Sequence, residues 1–295
     1  MNVDVAVGST LAGFRVERLL GRGAMGAVYL AEDVHLRRKA AIKVIARELA
    51  DDDRFRRRFL LECQLAASLE HPHIVPIYAA GEEGDVIFLA MKYVEGYDLR
   101  ELIDASEHIG DERALMLLGQ VGDALDAAHG LGLVHRDVKP ANILIGAGDA
   151  EHAYLSDFGL ARHASTVASL TGNAFVGTIA YIAPEQIESG AVDARADVYS
   201  LGCVLYECLT GAAPFERDGE CLTGFGDELV ARREALVGRL GERFLHDAVD
   251  RLRQIGTQGR DERRRLLQVR EDDLEVAVPL ERRGTGQALV QDAAE

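Results

Sequence analysis

His135-Arg136-Asp137-Val138-Lys139-Pro140-Ala141-Asn142 gathers an acid, a lysine and an amide into a short stretch, followed by the apolar run Ile143-Leu144-Ile145. A second apolar stretch further along ends in Asp157-Phe158-Gly159. Two acids and an amide on two neighbouring short strands can hold metal-bound phosphate beside a positioned hydroxyl. Carboxylate and amide oxygens are the hard ligands that Mg2+ accepts, and an aspartate can fix a hydroxyl in line with phosphorus. Any one of these residues alone reads equally well as a loop polar group or a helix cap. It is the ordered set that carries chemistry.

Gly21-Arg22-Gly23-Ala24-Met25-Gly26-Ala27-Val28 has the form GxGxxGxV. Alone this is a weak sign, because a dinucleotide-binding turn has the same letters. Context separates the two. A dinucleotide turn opens a helix and expects an acid about 20 residues on; here strand-like Ala27 to Ala31 follows, and that offset holds Ala41 to Lys43. A purely structural hairpin is the bland alternative. Ala41-Ile42-Lys43 sets a lysine in an apolar strand, where an unpaired ammonium is costly, so Lys43 needs an anion. Glu62, flanked by Leu60, Leu61 and Leu65, fits by position, and Glu48 is its rival. Of 33 basic residues only Lys39, Lys43, Lys92 and Lys139 are lysine, and two of these stand in the motifs above, where a compact ammonium is suited.

The elements that must position these groups fall into two parts. Phe14 to Leu20 and Ala27 to Ala31 read as a glycine-linked hairpin, Ala40 to Ile45 as a third strand, and Ile74 to Ala80 and Val86 to Val94 as two more. Asp51, Asp52 and Asp53 open a helix, acids being favoured at its N-terminus, with Phe55, Phe59, Glu62 and Leu65/Ala66 on one face. This predicts a part of five strands and one helix. After Gly96 the pattern turns helical, with Asp98 to Asp104, Asp111 to His129 and Ala196 to Leu209 as helices and short strands flanking the opening motif. The predicted fold class is α+β: a small β-rich lobe with one main helix, joined to a larger, mainly helical lobe by Met91 to Gly96.

Taken together the motifs resemble the bilobal eukaryotic-type protein kinases, in particular the bacterial Hanks-type serine/threonine kinases of actinobacteria. The resemblance runs from about Leu11 to Phe215 and includes Ala183-Pro184-Glu185 closing an activation segment. It implies that ATP lies under the glycine hairpin (Leu20, Gly21, Gly23, Gly26, Val28), with its base between Ala41 and Leu144. Met91 corresponds to the gatekeeper and Tyr93-Val94 to the hinge, and Lys43, paired with Glu62, meets the α- and β-phosphates. Asp137 orients the acceptor hydroxyl, Lys139 neutralises charge on the transferring group, and Asn142 and Asp157 hold Mg2+, with Mn2+ an alternative. Asp197 braces the catalytic loop from the long helix, and Arg136 awaits a phosphate on the activation segment, with Thr171 favoured over Thr166 as its site. Lys139 and Gly177-Thr178 ahead of Tyr181 match the serine/threonine branch; Lys92 stands where an acid is common. The implied partners are proteins bearing serine or threonine, and a second copy of the chain for autophosphorylation in trans.

Bulk properties narrow the field. The chain has 295 residues, 48% hydrophobic, with formal net charge −16 and pI about 5.0. That length supports one large core or two lobes, and the acidity argues against nucleic acid as the main partner. Four cysteines without CxxC spacing read as free thiols in a reducing compartment. Met1 to Thr10 lacks the features of a signal peptide, and Val198 to Leu209 is too short to span a bilayer, so a cytoplasmic protein is expected. The expected divisions are 11–95, 96–215, a divergent helical region 216–270 and an acidic, disordered tail 271–295. Beyond Phe215 the family's arginine partner for Glu185 cannot be placed. This keeps a rival reading open, a nucleotide-binding scaffold with crippled catalysis; a small-molecule phosphotransferase fits the Arg136 and Lys139 pattern less well.

Overall fold

The computed structural model describes residues 5–23, 25–106, 109–148, 151–158, 179–187 and 192–214. The expectations for 216–270 and for the tail, and the positions of Thr166 and Thr171, lie outside these residues.

Six antiparallel strands form the first sheet: β1 (Thr10–Leu11), β2 (Phe14–Gly23), β3 (Gly26–Asp33), β4 (Lys39–Ile45), β5 (Ile77–Glu83) and β6 (Val86–Lys92), in the order β1-β2-β3-β4-β6-β5. The sequence reading expected five; β1 is a two-residue strand pairing Thr10 with Arg15, too short to leave a periodic pattern. The strand expected to start at Ile74 begins at Ile77, and Ile74 instead makes an isolated parallel bridge to Leu155 of the other lobe.

β4 shows how the sheet aims its side chains. Successive residues of a strand face opposite ways. Ala40, Ile42 and Val44 enter a core with Val16, Tyr29, Ala31 and Phe88, whereas Ala41 and Ile45 belong to clusters on the other side. Lys43 shares that second face, which looks into the cleft and toward the main helix.

Two helices follow β4: a short α1 (Arg47–Ala50), not foreseen, and α2 (Asp53–Ala67). Asp52 caps α2, its side chain accepting from the N–H groups of Arg54 (2.7 Å) and Phe55 (3.3 Å). Phe55, Phe59 and Cys63 recur at helical spacing and pack with Ile45, Ile87 and Leu89, and so fasten α2 to the sheet.

The larger lobe starts at β7 (Gly96–Asp98), which joins β8 (Ile143–Gly146) and β9 (His152–Leu155) in a three-stranded antiparallel sheet. Asp98 and Glu101 form a reciprocal capping box that starts α3 (Leu99–Asp104). The long α4 (Asp111–Gly130), the short α5 (Pro184–Ile187) and α6 (Arg195–Thr210) complete the described α-helices, beside single 3-10 turns at Pro140–Asn142 and Ile179–Tyr181. The sequence reading required α6 to be covered, and it is: every residue from Tyr199 to Leu209 is buried. Among the described residues no helix is long and apolar enough to cross a membrane.

Candidate active site

The loop before β8 is held from below by α6. Asp197, fully buried, accepts hydrogen bonds from the backbone N–H groups of His135 (Oδ2, 2.7 Å) and Arg136 (Oδ1, 2.7 Å), and its Oδ2 lies 2.7 Å from His129 Nε2 on α4. These contacts hold Arg136 at φ +67°, a left-handed conformation that a side chain disfavours. The Arg136 carbonyl accepts from Gln186 Nε2 of α5 at 2.9 Å. The buried His135 ring accepts from the Asp137 N–H at Nδ1 (3.2 Å) and therefore donates from Nε2 to the Ser156 carbonyl (2.8 Å). Its ring ties the loop to the segment carrying Asp157.

Asp137 is thereby fixed in backbone and side chain. Lys139 Nζ donates to both carboxylate oxygens (3.0 and 2.8 Å), and Asn142 Nδ2 donates to Oδ2 (2.9 Å) and to the Asp137 carbonyl (2.7 Å). Asn142 is buried, spends Nδ2 on Asp137, and keeps its amide oxygen as an acceptor. Its carbonyl takes the Ser156 N–H (2.9 Å) and hydroxyl (3.0 Å), so the turn before β8 that bears Asn142 and the segment after β9 that bears Asp157 are cross-tied.

Asp157 lies at φ +63° with Oδ1 2.9 Å from Lys43 Nζ. This is a charge contact, and Oδ1 is shielded from solvent without an aligned hydrogen bond. Burial, the largest single influence, raises the Asp157 pKa, but the Lys43 contact together with His135 and Lys139 outweighs it, so the carboxyl is held below the usual range. The structure thus places Asp157 at ion-pair distance of Lys43. Glu62 stands half-buried on α2 next to Cys63. Burial and the Glu62 carboxylate push the Cys63 thiol up to about 12. Phe158 packs edge-on against His135 with ring centroids 4.6 Å apart and, with Cys63, Met91 and Asp157, lines a small cavity behind the cleft.

A shielded carboxylate oxygen on Asp157 and a spare amide oxygen on Asn142 suit a hard divalent cation whose remaining ligands are phosphate and water. Above them Ala41, Met91 and Val75 cluster with Val28, Tyr93, Val94, Leu144 and Tyr154. Ala41 and Met91 are direct partners across β4 and β6. Every predicted member of the adenine wall except Leu20, which is partly exposed on β2, is in this one cluster. The β2–β3 hairpin pairs Gly21 with Val28 and Gly23 with Gly26. A Cβ on Gly26 would sit 1.9 Å from the Val44 carbonyl oxygen, whereas one on Gly21 or Gly23 would meet nothing within 4 Å.

Residues 14–234 match the protein kinase domain model. The chain belongs to the protein kinase domain family. The match continues past Phe215, where the motif resemblance fades. This kinase domain is 44% identical over 214 residues to serine/threonine-protein kinase PknJ of Mycobacterium tuberculosis, covering 72% of the chain and 36% of PknJ. It is 45% identical over 212 residues to PknD of the same organism, covering 72% of the chain and 32% of PknD. The chain therefore spans about a third of the length of these curated relatives. The crystal structure of the M. tuberculosis PknI kinase domain superposes with a TM-score of 0.66 at 33% identity, covering 84% of this chain and 100% of that one.

Several groups in the kinase site escaped the sequence reading. Val75 and Tyr154 complete the apolar wall from distant segments, and His129 shares Asp197 from within an amphipathic helix that gives no sign of it. Gln186 follows Ala183-Pro184-Glu185 directly, which could have drawn attention to it. Buried Glu207 of α6 accepts from Arg100 of α3 (2.7 and 3.0 Å) and from the Tyr181 hydroxyl. Burial and that carboxylate raise the Tyr181 pKa. The triad anchors the segment ahead of α5 to α6, and Ser200 Oγ adds a 2.7 Å bond to the Tyr181 carbonyl.

Proposed function

We propose that this chain transfers the γ-phosphoryl group of ATP to serine and threonine hydroxyls of proteins, including its own activation segment. The observation that carries this reading is the double anchoring of Asp137 by Lys139 and Asn142, beside Asp157 and Lys43. A carboxylate held this way can accept a hydrogen bond from the acceptor hydroxyl and aim its oxygen at the phosphorus; most of the catalytic gain in such transfers comes from positioning and charge stabilisation. Lys139, already on the Asp137 carboxylate, is within reach of charge on the transferring group. Lys43 serves the α- and β-phosphates, with Glu62 of α2 as its second anionic partner. The apolar cluster around Ala41 and Met91 takes the base, with Tyr93 and Val94 offering backbone groups, and Gly21 and Gly23 leave room for phosphates. Asn142 and Asp157 would hold Mg2+ or Mn2+, whose charge would offset that of the phosphates.

Arg136 is read as the receptor for phosphate on Thr171 or Thr166, and a second copy of the chain as the partner that adds it. We assign the domain to the cytoplasm, the compartment of ATP and of free thiols such as the buried Cys63, Cys203 and Cys208. Labelled ATP and Mg2+ with wild type and Asp137→Asn, followed by phosphosite mapping, test the proposal. Wild type is expected to label serine or threonine, and the variant to lose about 10²–10⁴-fold in rate while still binding nucleotide. Nucleotide binding without transfer by wild type would favour a scaffold instead. Label appearing on Asp137→Asn protein mixed with wild type would report transfer in trans.

A further inference from the structure

Behind the cleft the two lobes meet along a second seam, away from the Met91 to Gly96 connection. β9 is an edge strand, paired within its sheet with β8 alone. Residues 73–75, between α2 and β5, close its other side. The Leu155 N–H donates to the His73 carbonyl (2.8 Å) and the Val75 N–H to the Leu155 carbonyl (3.0 Å). Two histidines tie this seam reciprocally. His73 donates from Nδ1 to the Ala153 carbonyl of β9 (3.0 Å), and His152 of β9 donates from Nε2 to the Pro72 carbonyl (2.8 Å). A carbonyl only accepts, so each of these bonds assigns a ring proton. The two rings stack with centroids 4.4 Å apart.

The column continues to the end of β6. His152 and Tyr154, two residues apart on β9 and so on one face, have ring centroids 4.4 Å apart. The Tyr154 hydroxyl accepts from Lys92 Nζ (2.9 Å), and that ammonium lies 4.4 Å from the Tyr154 ring centroid. Lys92, which stands where an acid is common, thus reaches from the last position of β6 to the other lobe. Val75 and Tyr154, on the two sides of the seam, both belong to the apolar wall.

We propose that Lys92, Tyr154, His152 and His73 form a strut across the back of the cleft that positions this wall for nucleotide, and that it holds only while the two stacked imidazoles are neutral. The inference rests on the reading of the wall as the site of the base. A proton on either ring adds a cation to a column that already ends in the Lys92 ammonium. Protons on both set like charges face to face, and His71, with its ring centroid 5.6 Å from that of His73, can add a third. The acids nearby offset little: Asp123 of α4 acts on His73 least of its neighbours, and both Glu151 carboxylate oxygens are taken by Arg113. Burial, the largest influence, together with His152 and His71 lowers the His73 pKa against the bond to Ala153. A lowered imidazole pKa adds stability that is complete above the unfolded value of about 6.5 and is lost as pH falls toward the folded value. The rings are only partly buried, so solvent protons reach them.

The test compares the full chain with its His73→Asn/His152→Gln variant at about pH 7.5 and about pH 5.5, on either side of the ordinary imidazole range. The amide side chains keep a donor on each carbonyl but take up no proton. Affinity for ADP with Mg2+ is the first readout, so that no transfer intervenes; comparing the two proteins at each pH cancels titration of the nucleotide's own phosphate. The second is hydrogen exchange at the Val75 and Leu155 amides. From the higher pH to the lower, wild type should lose roughly three- to tenfold in ADP affinity relative to the variant, as its binding-competent fraction shrinks. The two amides should lose protection in wild type alone. Lys92→Met should weaken ADP binding roughly two- to fivefold at the higher pH, and Lys92→Arg should restore it. Equal pH dependence of affinity and protection in wild type and the histidine variant overturns the strut, and so does equal ADP affinity of wild type and Lys92→Met. Should neither wild type nor variant bind ADP, the base-site reading fails, and amide protection alone decides the strut.

Discussion

Asp197 Oδ1 accepts the backbone N–H of Arg136 at 2.7 Å while Arg136 sits at φ +67°. An arginine in that region costs ~1–3 kcal/mol and persists only where its surroundings over-determine it. Here a buried carboxylate takes two consecutive N–H groups, and Gln186 takes the Arg136 carbonyl. The consequence is felt at Asp137, the next residue.

Replacing Asp197 with asparagine keeps the shape but turns an amide N–H toward one of the backbone donors. Each buried donor left unpaired costs about 1–3 kcal/mol, so the melting temperature should fall. If the loop relaxes and Asp137 moves by about an ångström, kcat should fall on the order of 10²-fold. KM for ATP should stay within about twofold, because the apolar cluster proposed to take the base is built mostly from the other lobe. Steady-state kinetics on Asp197→Asn decides the matter. A KM for ATP that climbs in step with the fall in kcat would show general collapse and not a displaced Asp137.

The Lys43–Asp157 contact carries a pH signature. The Asp157 carboxyl is held below its ordinary range, the Lys43 contact together with His135 and Lys139 outweighing the larger single effect of burial. A depressed carboxylate pKa adds stability that is present above the unfolded value of about 3.9 and is lost as pH falls through the folded value. Lys43→Met should therefore be less stable than wild type by ~2 kcal/mol near neutrality. The gap should narrow as pH falls and close only below the depressed folded value, where Asp157 is protonated in both proteins. Denaturant titrations across that range measure it; a gap of constant size from neutral to acid would mean that the charge contact contributes nothing.

What could be read from the sequence follows from how far apart the cooperating residues lie. Asp137, Lys139 and Asn142 sit within one loop, so their mutual geometry is almost a local property, and the structure joins them by direct hydrogen bonds. Lys43 was legible because an ammonium in an apolar strand demands an anion. Which anion was not legible, since the choice between Glu62 and Asp157 depends on where α2 stands relative to β4. Arg100 and Glu207, more than a hundred residues apart, look like ordinary surface charges on their own helices and become a part-buried pair only when α3 meets α6. The same holds for Val75 and Tyr154, whose role in the apolar wall arises from packing between lobes.

The three glycines of the hairpin should separate into two classes. Gly26 has φ +139° and no room for a Cβ, which would fall 1.9 Å from the Val44 carbonyl oxygen and 2.9 Å from the Ala46 nitrogen. Both obstacles are backbone of the neighbouring strand end, so the hairpin itself must shift, and Gly26→Ala should lose ~1–3 kcal/mol of stability. Gly21 and Gly23 face open space, and the fold has no need of a bare backbone there. Gly21→Ala and Gly23→Ala should stay within about 0.5 kcal/mol of wild type. Their effect should appear as a raised KM for ATP, because each new methyl group occupies space through which phosphates approach the amides. Thermal melts paired with ATP titrations distinguish the classes. If Gly23→Ala melted early with an unchanged KM, that glycine would belong to the architecture of the hairpin, and the phosphate-binding role would rest on Gly21 alone.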